Sequence, residues 1–145
     1  MIRSAIVDRE IDISSLIDEV RSTDAGAVSI FIGTVRETSD GRPVTGLEYE
    51  AYQAMAEKEL AAILNEAARQ FNIGALVAEH RVGQLDVGDV SVVIAAAHAH
   101  RAAAMDCTRL VIEEIKKRVP IWKRERFADG TREWVDPTRI GVSAS

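Results

Sequence analysis

The chain has 145 residues, 47% of them apolar and 28% charged, with a formal net charge of −5. That length is enough for one domain over residues 1–145 with a real core, and that apolar content excludes general disorder. The acidic balance argues against nucleic-acid binding, no apolar run approaches the ~20 residues of a membrane span, and the lone Cys107 excludes an internal disulfide or a zinc site of paired thiolates.

The chain alternates strands and helices. IRSAIVD at the start reads as a short strand, and the acids Asp8 and Glu10 arrive too early for the apolar core of a secretory signal, so a cytoplasmic location is the expectation. DISSLIDEVRS spaces Ile13, Leu16, Ile17 and Val20 as a short helix. AGAVSIFIGTVR is β-branched and almost wholly apolar, which predicts a central strand, and ETSDGRP after it reads as an exposed loop. VTGLEYEAY alternates imperfectly as a further strand. From Gln53 to Phe71, Ala56, Leu60, Ile63, Leu64, Ala67 and Phe71 share one face of a long helix.

ALVAEHRVGQL and VSVVIAAAHA are strand-like runs joined by DVGD and read as an antiparallel pair. His100 to Val119 predicts a second long helix, ended by Pro120 because the residue before a proline is pushed out of helical geometry. IWKRERF and REWVD flank the turn ADGT as a C-terminal hairpin. The order βαββαββαββ predicts an α+β fold with a largely antiparallel sheet and two long helices.

Most chemistries fail on their own requirements. The glycines form neither GxGxxG nor a P-loop, and no GxSxG elbow is present. His98 and His100, two apart, fall on opposite faces of a strand without a nearby carboxylate cluster, so no metal site is expected. Cys107 shares a helical stripe with Ala104 and Val111 and reads as a packed thiol. Met105 and Trp134 read as packing residues, and Trp122 either packs under the hairpin or walls a ligand pocket.

The remaining signal is positive charge. Lys116 to Arg126 carries +5, leaving −10 on the rest of the chain, which predicts one focused cationic pocket for a small anion. Lys117, Arg118 and Arg126 are assigned to the solvated surface. Arg36 stands where an apolar strand opens into a loop, and His100 and Arg101 stand where helix N-terminal amides favour an anion. Lys116 and Lys123 straddle the Pro120 break, so the chain can fold back and bring two ammonium groups together. Clustered cations disfavour protonation, and a lysine so affected can act as nucleophile or proton donor.

GTVR, HRVGQLDVGD, HAHR and IKKRVPIWKRE, in this order and spacing over about residues 25–136, resemble the catalytic, large-subunit family of molybdopterin synthase. The resemblance implies a sulfurtransferase that converts cyclic pyranopterin monophosphate (precursor Z) into molybdopterin, in molybdenum cofactor biosynthesis, by installing two dithiolene sulfurs. It implies that sulfur arrives as a thiocarboxylate on the Gly-Gly C-terminus of a small ubiquitin-like subunit, with no metal or redox cofactor on this chain. By motif, Thr34, Val35, Arg36, His100, Arg101, Lys116, Lys123, Arg124 and Glu125 are expected to contact substrate. Lys116 is expected to attack or polarise the partner's terminal carbonyl, with Lys123 assisting proton transfer. Where relatives commonly carry a small polar residue before AHR, this chain has His98, which either tunes the anion site or packs; Arg139 in the tail is a further candidate for the pocket.

His100 and Lys116 are sixteen residues apart, which along one helix at ~1.5 Å per residue is roughly 24 Å. One pterin does not bridge that distance. The expectation is a homodimer, and with the small subunits a heterotetramer, in which His100 and Arg101 of one chain complete the Lys116 and Lys123 pocket of the other. The alternatives are a non-catalytic module that binds a phosphorylated metabolite and a nucleic-acid contact through the basic segment, the latter disfavoured by charge and by 5% aromatic content.

Overall fold

Twelve elements follow one another along the chain: β1 (Ile2–Val7), α1 (Ile13–Val20), β2 (Ala27–Thr34), β3 (Thr38–Ser39), β4 (Arg42–Ala51), α2 (Gln53–Phe71), β5 (Ala75–Arg81), β6 (Gly83–Asp86), β7 (Val90–His98), α3 (Arg101–Arg118), β8 (Ile121–Phe127) and β9 (Arg132–Val135). They come from a computed structural model that describes residues 1–135; Arg139 lies outside the described residues. Helix ends follow local chemistry. The Asp12 carboxylate accepts a hydrogen bond from the Ser15 amide at 3.2 Å and starts α1. Asn72, in left-handed backbone at φ 53°, stops α2, and Pro120 follows the extended Val119 that closes α3.

The strands form two sheets. The first has the order β1-β5-β7-β2, with β1 parallel to β5 and the other pairs antiparallel. The second runs β3-β4-β8-β9, with β6 also paired to β4. Both long helices cover one face of the first sheet, where Leu60, Ile63 and Leu64 of α2 and Cys107, Val111 and Ile115 of α3 meet Leu76, Ala78 and Ile94. On the other face Leu16 and Val20 of α1 pack against Val77, Val93 and Ala95. A smaller cluster, Val35, Leu47, Tyr49 and Leu85, lies under the second sheet.

Leu64 is fully buried in the largest cluster. Its replacement by Ala leaves a cavity and is expected to cost about 2–5 kcal/mol, read as a lower urea midpoint with an unchanged slope.

The α+β class, the long helices and the C-terminal hairpin match expectation, while several local readings need correction. ALVAEHRVGQL is two strands: the chain turns at Gly83, φ 101°, so β6 leaves the first sheet and joins β4 in the second. The loop ETSDGRP holds the short hairpin β3–β4, whose Asp40 and Gly41 both have positive φ, as a tight primed turn requires. The imperfect alternation in β4 reflects a register shift between Val44 and Gly46. Gly46 is needed there, because a Cβ would stand 2.5 Å from the Leu85 carbonyl oxygen.

The expected central strand, β2, is an edge strand. Its apolar content reports coverage by α3 on one face, where the Ser29 hydroxyl meets that of Thr108 at 2.8 Å. On the other face the short α1 cluster covers Ile30, while Val28 and Ile32 on either side of it are 37% and 41% exposed. Met105 and Trp134, read as packing residues, are also exposed, because each points away from the core-facing side of its element. Cys107 is fully buried as expected, and burial pushes its thiol up to about 11.

Candidate active site

Pairing with carboxylates separates the cations. Lys117 pairs with Glu114, Arg118 with Glu59 and Glu66, and Arg126 with Asp86. Among the described residues, Arg36, Arg101 and Lys116 have no carboxylate partner. Cations without a carboxylate partner in an acidic protein are suited to binding an anion.

Three elements bring Arg36, Lys116 and Lys123 within electrostatic reach of one another. Lys116 stands in the last turn of α3, and Pro120 reverses the chain so that β8 returns Lys123 opposite Tyr49 in the ladder with β4. Arg36 follows the buried Val35, whose N–H donates to the Asp89 carbonyl at 2.9 Å and whose carbonyl accepts from Gly88 N–H at 2.8 Å. Val35 is thus pinned to the turn between β6 and β7, and that fixes where Arg36 emerges. Thr34 is exposed beside it, after a register shift against β7 at Gly33.

Lys116 keeps an exposed surface, yet protein atoms gather round its ammonium, so the side chain is partly enclosed at the surface and does not lie in the interior. Desolvation first, then the charges of Lys123 and Arg36, lower its pKa from 10.5 to about 8. Burial and Arg36 also lower Lys123, while the carboxylate of Glu125 acts in the opposite sense. Glu125 is buried, and two-residue alternation puts it on the same face of β8 as Lys123.

The same alternation sends Arg124 to the other face of β8. There it pairs with Glu48 and lies over the Trp134 ring, 5.0 Å from its centroid. Trp122, on that face as well, is 40% exposed. Within one chain, therefore, Arg124 stands apart from the two lysines.

His100 and Arg101 start α3, an 18-residue helix roughly 27 Å long, so they lie far from Lys116 in the same chain. The His100 N–H donates to Nδ1 of His98 at 2.9 Å, which gives His98 a role in holding the entry to α3. No group of three or more His, Cys, Asp or Glu positioned to hold a metal occurs among the described residues.

Two residues near the lysines carried no assigned role from sequence, His80 and Tyr49. The His80 ring is buried, contacts Tyr49 edge-on at 5.1 Å between centroids, and is affected by the charge of Lys116. Strand alternation extends the stripe Leu76, Ala78, His80 toward α3, which was the available signal.

Fold and cation cluster together define an α+β protein that presents unpaired arginine and desolvated lysine at one place, an arrangement suited to a small anion. A family model described as MoaE protein matches residues 6–118. The chain is 45% identical over 141 residues to the molybdopterin synthase catalytic subunit of Oryza sativa subsp. indica, covering 93% of this chain and 73% of that one. Among solved structures it is similar to molybdopterin synthase from Staphylococcus aureus, with a TM-score of 0.85 and 37% identity over 90% of this chain and 95% of that chain. The fold alone is shared with the complex of subunits 1 and 2 of molybdopterin-converting factor from Helicobacter pylori, TM-score 0.75 and 22% identity over 97% and 99% of the respective chains. The chain belongs to the MoaE family, whose curated relatives are named molybdopterin synthase catalytic subunits.

Proposed function

We propose that this chain is the sulfur-transferring subunit of a molybdopterin synthase: it binds cyclic pyranopterin monophosphate and installs the dithiolene with sulfur from a thiocarboxylated small subunit. The observation that carries the reading is the Arg36, Lys116 and Lys123 cluster, in which both lysines are partly desolvated and feel the charge of Arg36, in a chain of this family. Arg36 and Thr34 hold the substrate's anionic groups, and Val35 fixes their placement. Lys116 attacks or polarises the small subunit's terminal carbonyl, and Lys123, steadied by Glu125, carries the proton and stabilises developing charge. Arg124, bound to Glu48, supports the sheet that presents Lys123.

We place the small subunit's tail against the same cation cluster, since a catalytic subunit implies a second kind of subunit. No described helix is long and apolar enough to cross a membrane, and we assign the reaction to the cytoplasm. The site needs a second copy of the chain to be complete, because His100 and Arg101 lie at the far end of α3. The β2 edge supports this assembly. Ala27 pairs with His98 and Thr34 with Val90, so β2 runs from the His100 end of the molecule to the Arg36 end. Antiparallel contact of two β2 edges about a two-fold axis brings His100 and Arg101 of one protomer toward Arg36 and Lys116 of the other, and covers Val28 and Ile32.

Wild-type protein mixed with cyclic pyranopterin monophosphate and thiocarboxylated small subunit is expected to form molybdopterin, and tight binding of the pterin without product favours the metabolite-binding alternative. The pH dependence has a definite sign. If neutral Lys116 is the attacking form, kcat rises with pH and levels off above about 8, where the ammonium has lost its proton. A pH–rate profile checks this, and Lys116→Arg, permanently charged, is expected to lack the rising limb.

A further inference from the structure

We infer that Asp89 is a positioning residue for Arg36: its carboxylate, seated between Arg81 and the backbone of the β6–β7 turn, shapes the turn that grips Val35 and so sets where Arg36 emerges. The inference deepens the substrate-holding role proposed for Arg36 and rests on that reading for the binding arm of its test alone.

Of the motifs that carry the family resemblance, HRVGQLDVGD places no residue in the proposed site. Its last residues, Asp86 to Asp89, form a tight turn that is closed twice. The Asp89 N–H donates to the Asp86 carbonyl at 3.0 Å, and the Asp86 N–H donates back to Asp89 Oδ2 at 2.9 Å. Gly88, third in the turn, has φ 90°, a backbone that glycine adopts without strain. The same Asp89 Oδ2 lies 3.8 Å from Nη1 of Arg81, whose side chain is 17% exposed. Arg81 Nε is buried without a hydrogen-bond partner, so its guanidinium depends on Asp89 for counter-charge. One carboxylate therefore serves a backbone amide and a largely buried cation. Ser or Gly, common in turns, would leave Arg81 without that charge.

The turn directs its other backbone groups to a segment that has left the sheet. The ladder between β2 and β7 ends with Thr34 opposite Val90, and Val35 lies beyond it. Both polar groups of Val35 go to the turn: its N–H to the Asp89 carbonyl at 2.9 Å, and its carbonyl to the Gly88 N–H at 2.8 Å. On the far side of Arg36, the Glu37 carbonyl accepts from the Val44 N–H at 2.8 Å. Arg36 is thus exposed between two backbone anchors, and the first of them lasts only while the turn keeps its shape. The turn also touches β8, the strand of Lys123, because Arg126 Nη2 donates to the Leu85 carbonyl at 3.1 Å and pairs with Asp86 at 3.3 Å. Its shape therefore sets Arg36 relative to the strand that carries Lys123. Joining β6 to β7 needs neither the grip on Val35 nor the guanidinium behind Asp89, whereas holding Arg36 in place uses both.

Calorimetric titration of cyclic pyranopterin monophosphate into the protein, without small subunit, isolates the holding step. Asp89→Ala removes the acceptor for Asp86 N–H and the counter-charge of Arg81, and is expected to weaken binding about tenfold, with KM raised in proportion and kcat within about twofold of wild type. Asp89→Asn, whose amide oxygen still accepts from Asp86, is expected to recover most of the affinity. In an Arg36→Ala background, Asp89→Ala is expected to add less than about a twofold loss, because its effect passes through Arg36. Equal losses in both backgrounds, or unchanged binding by Asp89→Ala, overturn the inference. Amide hydrogen exchange needs no ligand: Val35 N–H is expected to exchange about tenfold faster in Asp89→Ala than in wild type, and near the wild-type rate in Asp89→Asn. Protected Val35 and Asp86 amides in the wild-type protein support the inference whether or not Asp89→Ala folds, and free exchange at either contradicts it. Absence of pterin binding by the wild-type protein would defeat the substrate-holding reading of Arg36 and leave the exchange result to decide whether Asp89 shapes the grip on Val35.

Discussion

Replacing Lys116 with Ala is expected to lower the turnover rate by about a thousandfold or more while leaving the fold no less stable. The two halves have one cause. Lys116 is crowded by protein and by the charges of Lys123 and Arg36, which lower its pKa to about 8 from an ordinary 10.5. A folded-state pKa below the unfolded one means that the folded state disfavours the proton. The penalty is therefore full below pH 8, fades between about 8 and 10.5, and is gone above that range. At neutral pH, removing the ammonium removes an unfavourable interaction, so thermal unfolding of Lys116→Ala should match or exceed that of wild type. A purely structural lysine would behave in the opposite way, with reduced stability and activity lost in proportion. Kinetics and melting measured on the same preparation distinguish the two.

Mixing Lys116→Ala chains with Arg101→Ala chains, each inactive alone, is expected to restore about a quarter of wild-type activity. In a two-fold dimer with shared sites, each mixed pair has one site with both defects and one with neither. Random pairing makes about half of all dimers mixed, hence about a quarter of sites intact. The argument rests on the roughly 27 Å length of α3, which keeps Arg101 and Lys116 of one chain apart. No recovery after verified subunit exchange would place both residues' roles within a single chain or remove Arg101 from the site.

Local periodicity made the helices legible. The stripe Leu60, Ile63, Leu64, Ala67 defines α2, and Pro120 defines the end of α3 and the reversal that returns Lys123. Sheet membership was harder, because it depends on partners distant in sequence. An apolar run such as β2 records burial of its faces and not the presence of a neighbour on each side, so an edge strand under a helix resembles a central one. The break at Gly83 that sends β6 to the second sheet is likewise a tertiary choice, made by pairing with β4.

At the site, charge density identified Lys116 and Lys123, whereas the state of each remaining cation needed its partner. Arg124 and Arg126 are as basic in sequence as Lys123, and only the ladder with β4 shows that Glu48 and Asp86 neutralise them. His80 escaped for a related reason: nothing in EHRVG shows that the charge of a lysine thirty-six residues later reaches it until β5 and α3 are packed together.

The central claim is that this lysine cluster transfers sulfur, and single-turnover stoichiometry tests it most directly. Excess thiocarboxylated small subunit, incubated with the wild-type protein and limiting cyclic pyranopterin monophosphate, is followed by mass spectrometry of both the small subunit's C-terminus and the pterin. The account predicts one molybdopterin for about two thiocarboxylates converted to carboxylates, since each dithiolene sulfur leaves one acyl group to water. Thiocarboxylate lost without any sulfur appearing on the pterin, or pterin bound and recovered unchanged, would contradict it.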